Sequence, residues 1–177
     1  MYQVGDLIFY GNTGVCEVKG ITTRDAGKAN DKELYYVLEP VYQNCKIFIP
    51  VNTTEVFMRP VISKDEAKQL IDTIPTLQVE TYEDYTSSQL TECYESLIKT
   101  HDCADLIELT MSIYTKKQLA DQKKHKFGAI DDKFMKRAED LLFGELAIAL
   151  DIPKEKVPEY IAKRVGRKNR ANKNEYN

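Results

Sequence analysis

Residues 4–18 read VGDLIFYGNTGVCEV, and that stretch decides the fold of the N-terminal part. Two runs rich in β-branched and aromatic residues, Asp6–Tyr10 and Gly14–Ile21, are separated by Gly11, Asn12 and Thr13, which suit a tight turn. Working outward, three more runs share this character: Leu34–Glu39, Lys46–Ile49 and Glu55–Met58. Each is short and bounded by Gly, Asn, Asp or Pro, as strands are. Between the second and third runs lies TRDAGKANDK (residues 23–32), a polar hairpin connection. Five of the eight glycines fall in the first 27 residues, where turns need positive φ. Five short strands with tight turns predict a small, strongly bent barrel of the SH3 or Tudor type. Such barrels serve peptide, nucleic-acid and protein partners alike, so the fold alone assigns no function.

Beyond residue 60 the punctuation changes. Ser63 followed by Glu66 reads as a capping box, and Pro75 stops the helix it opens. TLQVETYEDY (residues 76–85) reads as an extended, acidic linker. Between Pro75 and Pro153 there is no proline, and only Gly128 and Gly144 interrupt the run, which predicts helices. Their expected spans are Ser87–Lys99, Asp102–Lys124, Asp131–Leu150 and Lys154–Val165, with Asp102 and Asp131 as N-caps. Apolar stripes support the middle two, through Leu106, Leu109 and Ile113 in one and Phe134, Leu142 and Leu146 in the other. The end of the chain, GRKNRANKNEYN (residues 166–177), has almost no apolar content and reads as a disordered basic tail. The expected fold class is therefore α+β. A small Tudor/SH3-like β-barrel occupies residues 1–75 and an all-α helical domain residues 76–165.

At 177 residues the chain can bury roughly two-thirds of its unfolded surface without a disulfide or metal staple. Its 42% hydrophobic and 30% charged residues exclude disorder as the main state. No run approaches the ~20 apolar residues of a membrane span, and the N-terminus lacks the pattern of a signal peptide. The four cysteines, Cys16, Cys45, Cys93 and Cys103, form no C-x-x-C pair and have no histidine at metal spacing. Reduced thiols and a cytoplasmic location are expected.

Charge is segregated along the chain. Residues 61–113 hold 3 basic against 11 acidic side chains, and residues 114–177 hold 16 basic against 10 acidic. Such asymmetry suits an end that faces a polyanion, or a pair of helices of opposite charge that face each other.

Catalytic patterns are missing. His101 and His125 belong to no metalloprotease motif, and no nucleophile elbow, phosphate loop or dinucleotide glycine pattern is present. The pairs Asp65/Glu66 and Asp131/Asp132 sit at expected helix starts, where the helix dipole accounts for them. No catalytic residue, metal ligand or cofactor site is assigned, and the chain is not expected to be an enzyme. Two interaction surfaces remain. One is the strand Lys46-Ile47-Phe48-Ile49-Pro50 of the barrel, whose edge suits pairing with another protein's sheet. The other is basic: Lys116, Lys117, Lys123, Lys124 and Lys126 close one helix, and Lys133, Lys136 and Arg137 open the next. Helix-dipole stabilisation explains the first group but not the second; a phosphate-facing patch explains both.

Taken in order, VGDLIFYGNTGVCEV, LYYVLEP (residues 34–40), KIFIPV (46–51) and RPVIS (59–63) resemble the N-terminal module of the CarD/CdnL family of bacterial transcription regulators. RAEDLLFGELAIAL (residues 137–150) is similar to that family's later helical pattern. The resemblance implies a Tudor-like module docking on the RNA polymerase β subunit and helices that touch promoter DNA, mostly its backbone, at the upstream edge of the transcription bubble. It places Arg24 at a polymerase-contacting arginine and Phe48 where relatives often carry a second basic contact residue; Lys46 and Ile47 join them as polymerase-binding candidates from the edge strand. Lys116 and Lys117 fall beside a basic pair on the DNA-facing helix. The chain has no tryptophan, whereas many relatives wedge one into the minor groove; Tyr85 is the nearest substitute, flanked by Glu83 and Asp84. The reading is a non-enzymatic regulator that modulates open-complex stability. The alternative is a protein-only interaction module whose helices serve as a dimer interface or spacer. An RNA-binding barrel fits less well, because residues 1–60 carry 6 basic and 7 acidic side chains.

Overall fold

The computed structural model describes the backbone of residues 1–25 and 32–174, and side chains within 1–23 and 33–167. The chain forms two compact units, Met1–Val61 and Ile62–Asn177. The division thus falls earlier than the expected boundary after Pro75. The capping box at Ser63 opens a helix that packs against two later helices of the helical unit, Ala129–Leu150 and Val157–Asn174.

In the first unit β1 (Leu7–Tyr10), β2 (Gly14–Asp25), β3 (Lys32–Pro40), β4 (Ile47–Pro50) and β5 (Met58–Pro60) form one antiparallel sheet in the order β4-β3-β2-β1-β5. Gly14 enters β2 at φ +88°, which a side chain would resist, and Thr13 N–H closes the preceding turn on the Tyr10 carbonyl at 3.0 Å. An extra residue, Lys19, interrupts the register between Val18 and Gly20 and bends β2. Ile8, Cys16, Val18, Tyr36, Leu38 and Ile49 make the core. The buried Tyr36 hydroxyl accepts from the Tyr2 backbone N–H at 2.9 Å. Among the described residues β4 and β5 do not pair, so the expected barrel is an open, Tudor-like sheet. The expected hairpin connection at 23–32 is shortened by both strands, and residues 26–31 lie outside the described residues.

The second unit comprises α1 (Lys64–Thr73), α2 (Ser87–Lys99), α3 (Cys103–Gln122), α4 (Ala129–Leu150) and α5 (Val157–Asn174). α3 lies against α4, α2 against both, and α1 against α4 and α5. Leu106, Leu109, Ile113, Phe134, Ala138, Leu142 and Leu146 form the seam of α3 and α4, all buried. Two expectations change. Gly128, not Asp131, is the N-cap of α4; Asp131 sits in the first turn and is buried. The tail expected to be disordered continues α5 as helix through Asn174. Ahead of that tail, within the expected part of α5, Lys163 pairs with Glu159 one turn back at 2.6 Å and Arg164 with Asp72 of α1 through two bonds of 2.7 Å.

Candidate functional site

Two surfaces carry the residues singled out above, one in each unit. In the sheet, β4 is an edge strand that among the described residues pairs with β3 alone. Its alternation is set by the core: Ile49 turns inward beside Tyr36 and is 7% exposed, so Phe48 turns outward. Phe48 stands opposite Val37, and Val37 opposite Gly20, which has no side chain to extend the row. The result is a short row running across the sheet from β4 through β3 to Gly20 of β2, with Phe48 39% exposed at its outer end. Lys46 precedes the strand and pairs with Glu39 at 3.4 Å, an exposed contact of little energetic weight. Arg24 lies in β2 opposite Glu33; its side chain lies outside the described residues.

The helical surface centres on the junction of α3 and α4, residues 123–128. Lys117, Lys123, Lys124, Lys126 and Lys133 are exposed there. Lys117 rides over the Phe127 ring at 5.6 Å and Lys133 over Phe134 at 5.8 Å. Lys124 closes α3 in the left-handed region at φ +55°. Lys136 is exposed but paired with Asp132 at 2.7 Å, and Arg137 is half-buried. Lys116 differs from its neighbours. Its ammonium lies 3.0 Å from the Asp131 carboxylate, and the side chain is 21% exposed. The resemblance pairs it with Lys117, which is exposed, whereas Lys116 is turned toward Asp131 and largely covered.

Tyr85 is 41% exposed and meets Tyr82 edge-on, with ring centroids 5.1 Å apart. Tyr82, at φ +51°, contacts Tyr94 at 5.9 Å, and Tyr94 contacts Phe134 at 5.4 Å. The segment is tied down further where the Ser112 hydroxyl donates to the Glu80 carbonyl. Burial, reinforced by the bond to Asp131, holds the Tyr94 phenol well above its ordinary range. Burial and the Cys93 thiol do the same for Tyr82. Glu83 and Asp84 remain exposed beside Tyr85.

Sequence reasoning missed Tyr94, Asp131 in its buried role, and Glu145. Tyr94 and Asp131 are 37 residues apart, and no local pattern connects them. Glu145 lies inside the quoted RAEDLLFGELAIAL, and one charged residue within an apolar helical stripe was the available signal.

An open five-stranded antiparallel sheet of this kind is shared by several families of interaction domains. Residues 2–62 match the model of one such family, the CarD-like/TRCF RID domain. The N-terminal unit is therefore a CarD-like RNA polymerase-interacting domain, and the chain an RNA polymerase-interacting, transcription-related protein. The match takes in about a third of the chain and leaves the helical unit outside it. No curated protein matches the chain. No helix among the described residues is long and apolar enough to cross a membrane.

Proposed function

We propose that this protein regulates transcription by docking on the RNA polymerase β subunit through its sheet and on promoter DNA through its helices, modulating the stability of the open complex. The observation that carries the reading is the RID-domain match over residues 2–62, together with a sheet whose β4 edge presents Phe48. Main-chain bonds along that edge would supply affinity and the row Phe48–Val37 specificity. The DNA half rests on the exposed lysines Lys117, Lys123, Lys124, Lys126 and Lys133 around one helix junction. Such contacts give sequence-independent, salt-sensitive binding.

Tyr85 is the candidate for the bubble edge, where an inserted side chain offsets the cost of unstacking. The test is open-complex decay on one promoter with wild type, Tyr85→Ala and Tyr85→Trp. Stacking on a base is worth roughly 1–3 kcal/mol, but Glu83 and Asp84 oppose phosphate. The expected result is a lifetime about threefold shorter for Tyr85→Ala and longer for Tyr85→Trp. Identical decay for all three would remove Tyr85 from the mechanism. A second reading, a protein-only module, is favoured by those acidic neighbours and by the ion pairs that engage Lys116 and Lys136. It requires that charge reversal of Lys117, Lys123, Lys124 and Lys126 leave transcription unchanged.

A further inference from the structure

The carboxylate of Asp131 is 4% exposed, yet three helices meet on it. Oδ1 accepts from the Tyr94 hydroxyl of α2 at 2.8 Å and from Lys116 Nζ of α3 at 3.1 Å; Oδ2 lies 3.0 Å from the same ammonium. The helix N-terminus of α4 adds its positive end. Gly128 leaves the room: a Cβ there would stand 2.8 Å from Oδ2, and a carboxylate held by two partners cannot swing away freely. A buried pair of this kind contributes little net stability but is costly to break, so what it secures is geometry.

The geometry in question joins two features. On one side of Asp131, Lys116 precedes Lys117 and the basic junction 123–128. On the other, Tyr94 carries Tyr82, and Tyr82 carries Tyr85. We propose that Asp131, with Lys116 and Tyr94, is the positioning centre that holds the basic junction and the aromatic turn as one DNA-facing surface, and that Lys116 supports this surface from within without touching phosphate. The proposal rests on the DNA reading above.

Contact and support are separable by salt. Each lysine–phosphate contact contributes about 0.9 to the slope of log K against log salt, whereas a lysine whose charge is neutralised by Asp131 releases no counterion of its own. The full chain is titrated with a fluorescent duplex over a salt series, as wild type, Lys117→Met, Lys116→Met and the double variant Lys116→Met/Asp131→Asn. The double variant leaves no unpaired buried charge and so keeps the fold available for the test; thermal unfolding checks this. The expected result is a slope lower by about 0.9 for Lys117→Met. For Lys116→Met and the double variant, affinity should fall about tenfold at every salt concentration with the wild-type slope. A slope lower by about 0.9 in Lys116→Met would make it a phosphate contact and overturn the proposal. So would a folded double variant that binds like wild type, since the pair would then be structural only. If wild type itself does not bind the duplex, the DNA reading fails, and the proposal with it.

Discussion

Glu145 has no exposed surface, yet both of its oxygens are used: Oε1 accepts from the Ile62 backbone N–H at 3.1 Å and Oε2 from the Cys103 thiol at 3.1 Å. Its removal takes away the acceptor of both bonds and opens a cavity, each of which costs more than a lost surface contact. Glu145→Ala should therefore destabilise by about 2–4 kcal/mol, and Glu145→Gln, which keeps an acceptor, by about half as much. Urea midpoints of the three proteins check this; equal losses would deny the carboxylate its bonding role. Cys16 makes a second prediction. Burial, aided by Cys45, raises its thiol from 9.0 to about 12. A group whose folded pKa is raised gives stability that is complete below the unfolded value and lost as pH climbs toward the folded one. The urea midpoint should fall between pH 9.0 and about 12, and Cys16→Ala should flatten part of that fall. A midpoint with the same pH dependence in both proteins would contradict it.

At the scale of elements, helix starts show what the sequence made legible. Ser63 and Glu66 read as a capping box and form one, with reciprocal bonds of 3.2 and 2.7 Å. Asp102 reads as an N-cap and accepts from the Ala104 N–H at 2.7 Å. These signals are local, so residue type and spacing suffice. Asp131 carries the same residue type and fails, because its partners Tyr94 and Lys116 come from distant elements and draw it inside, leaving Gly128 to cap. The end of α5 also departs from expectation: its polar composition predicts disorder, and the helix runs on through Asn174. The open edge of the sheet was legible as a short strand, but its lack of a partner is a property of β4 and β5 together. Two substitutions follow. Asp102→Ala should cost about 1 kcal/mol. Gly128→Ala should cost about 1–2 kcal/mol, because the new Cβ meets the Asp131 carboxylate. Thermal unfolding reads both, and a neutral Gly128→Ala would show that the carboxylate moves without penalty.

At the scale of the whole molecule, the two units differ in charge and in chemistry. The unit that matches the RID domain carries nearly balanced charge and an apolar edge; the helical unit carries the lysine cluster. Polymerase affinity should therefore respond to the sheet and not to the helix junction. The direct measurement is equilibrium binding of the full chain to RNA polymerase without DNA, comparing wild type, Phe48→Glu, Arg24→Glu, and Lys117→Glu/Lys123→Glu. A charge placed on an interface core, or reversed at its rim, disfavours association. The expected result is saturable binding by wild type, a loss of about tenfold or more for Phe48→Glu and a smaller loss for Arg24→Glu, with the double lysine variant unchanged. Binding that survives Phe48→Glu and Arg24→Glu intact but is lost with the helix lysines would contradict the assignment of the sheet as the polymerase-docking surface.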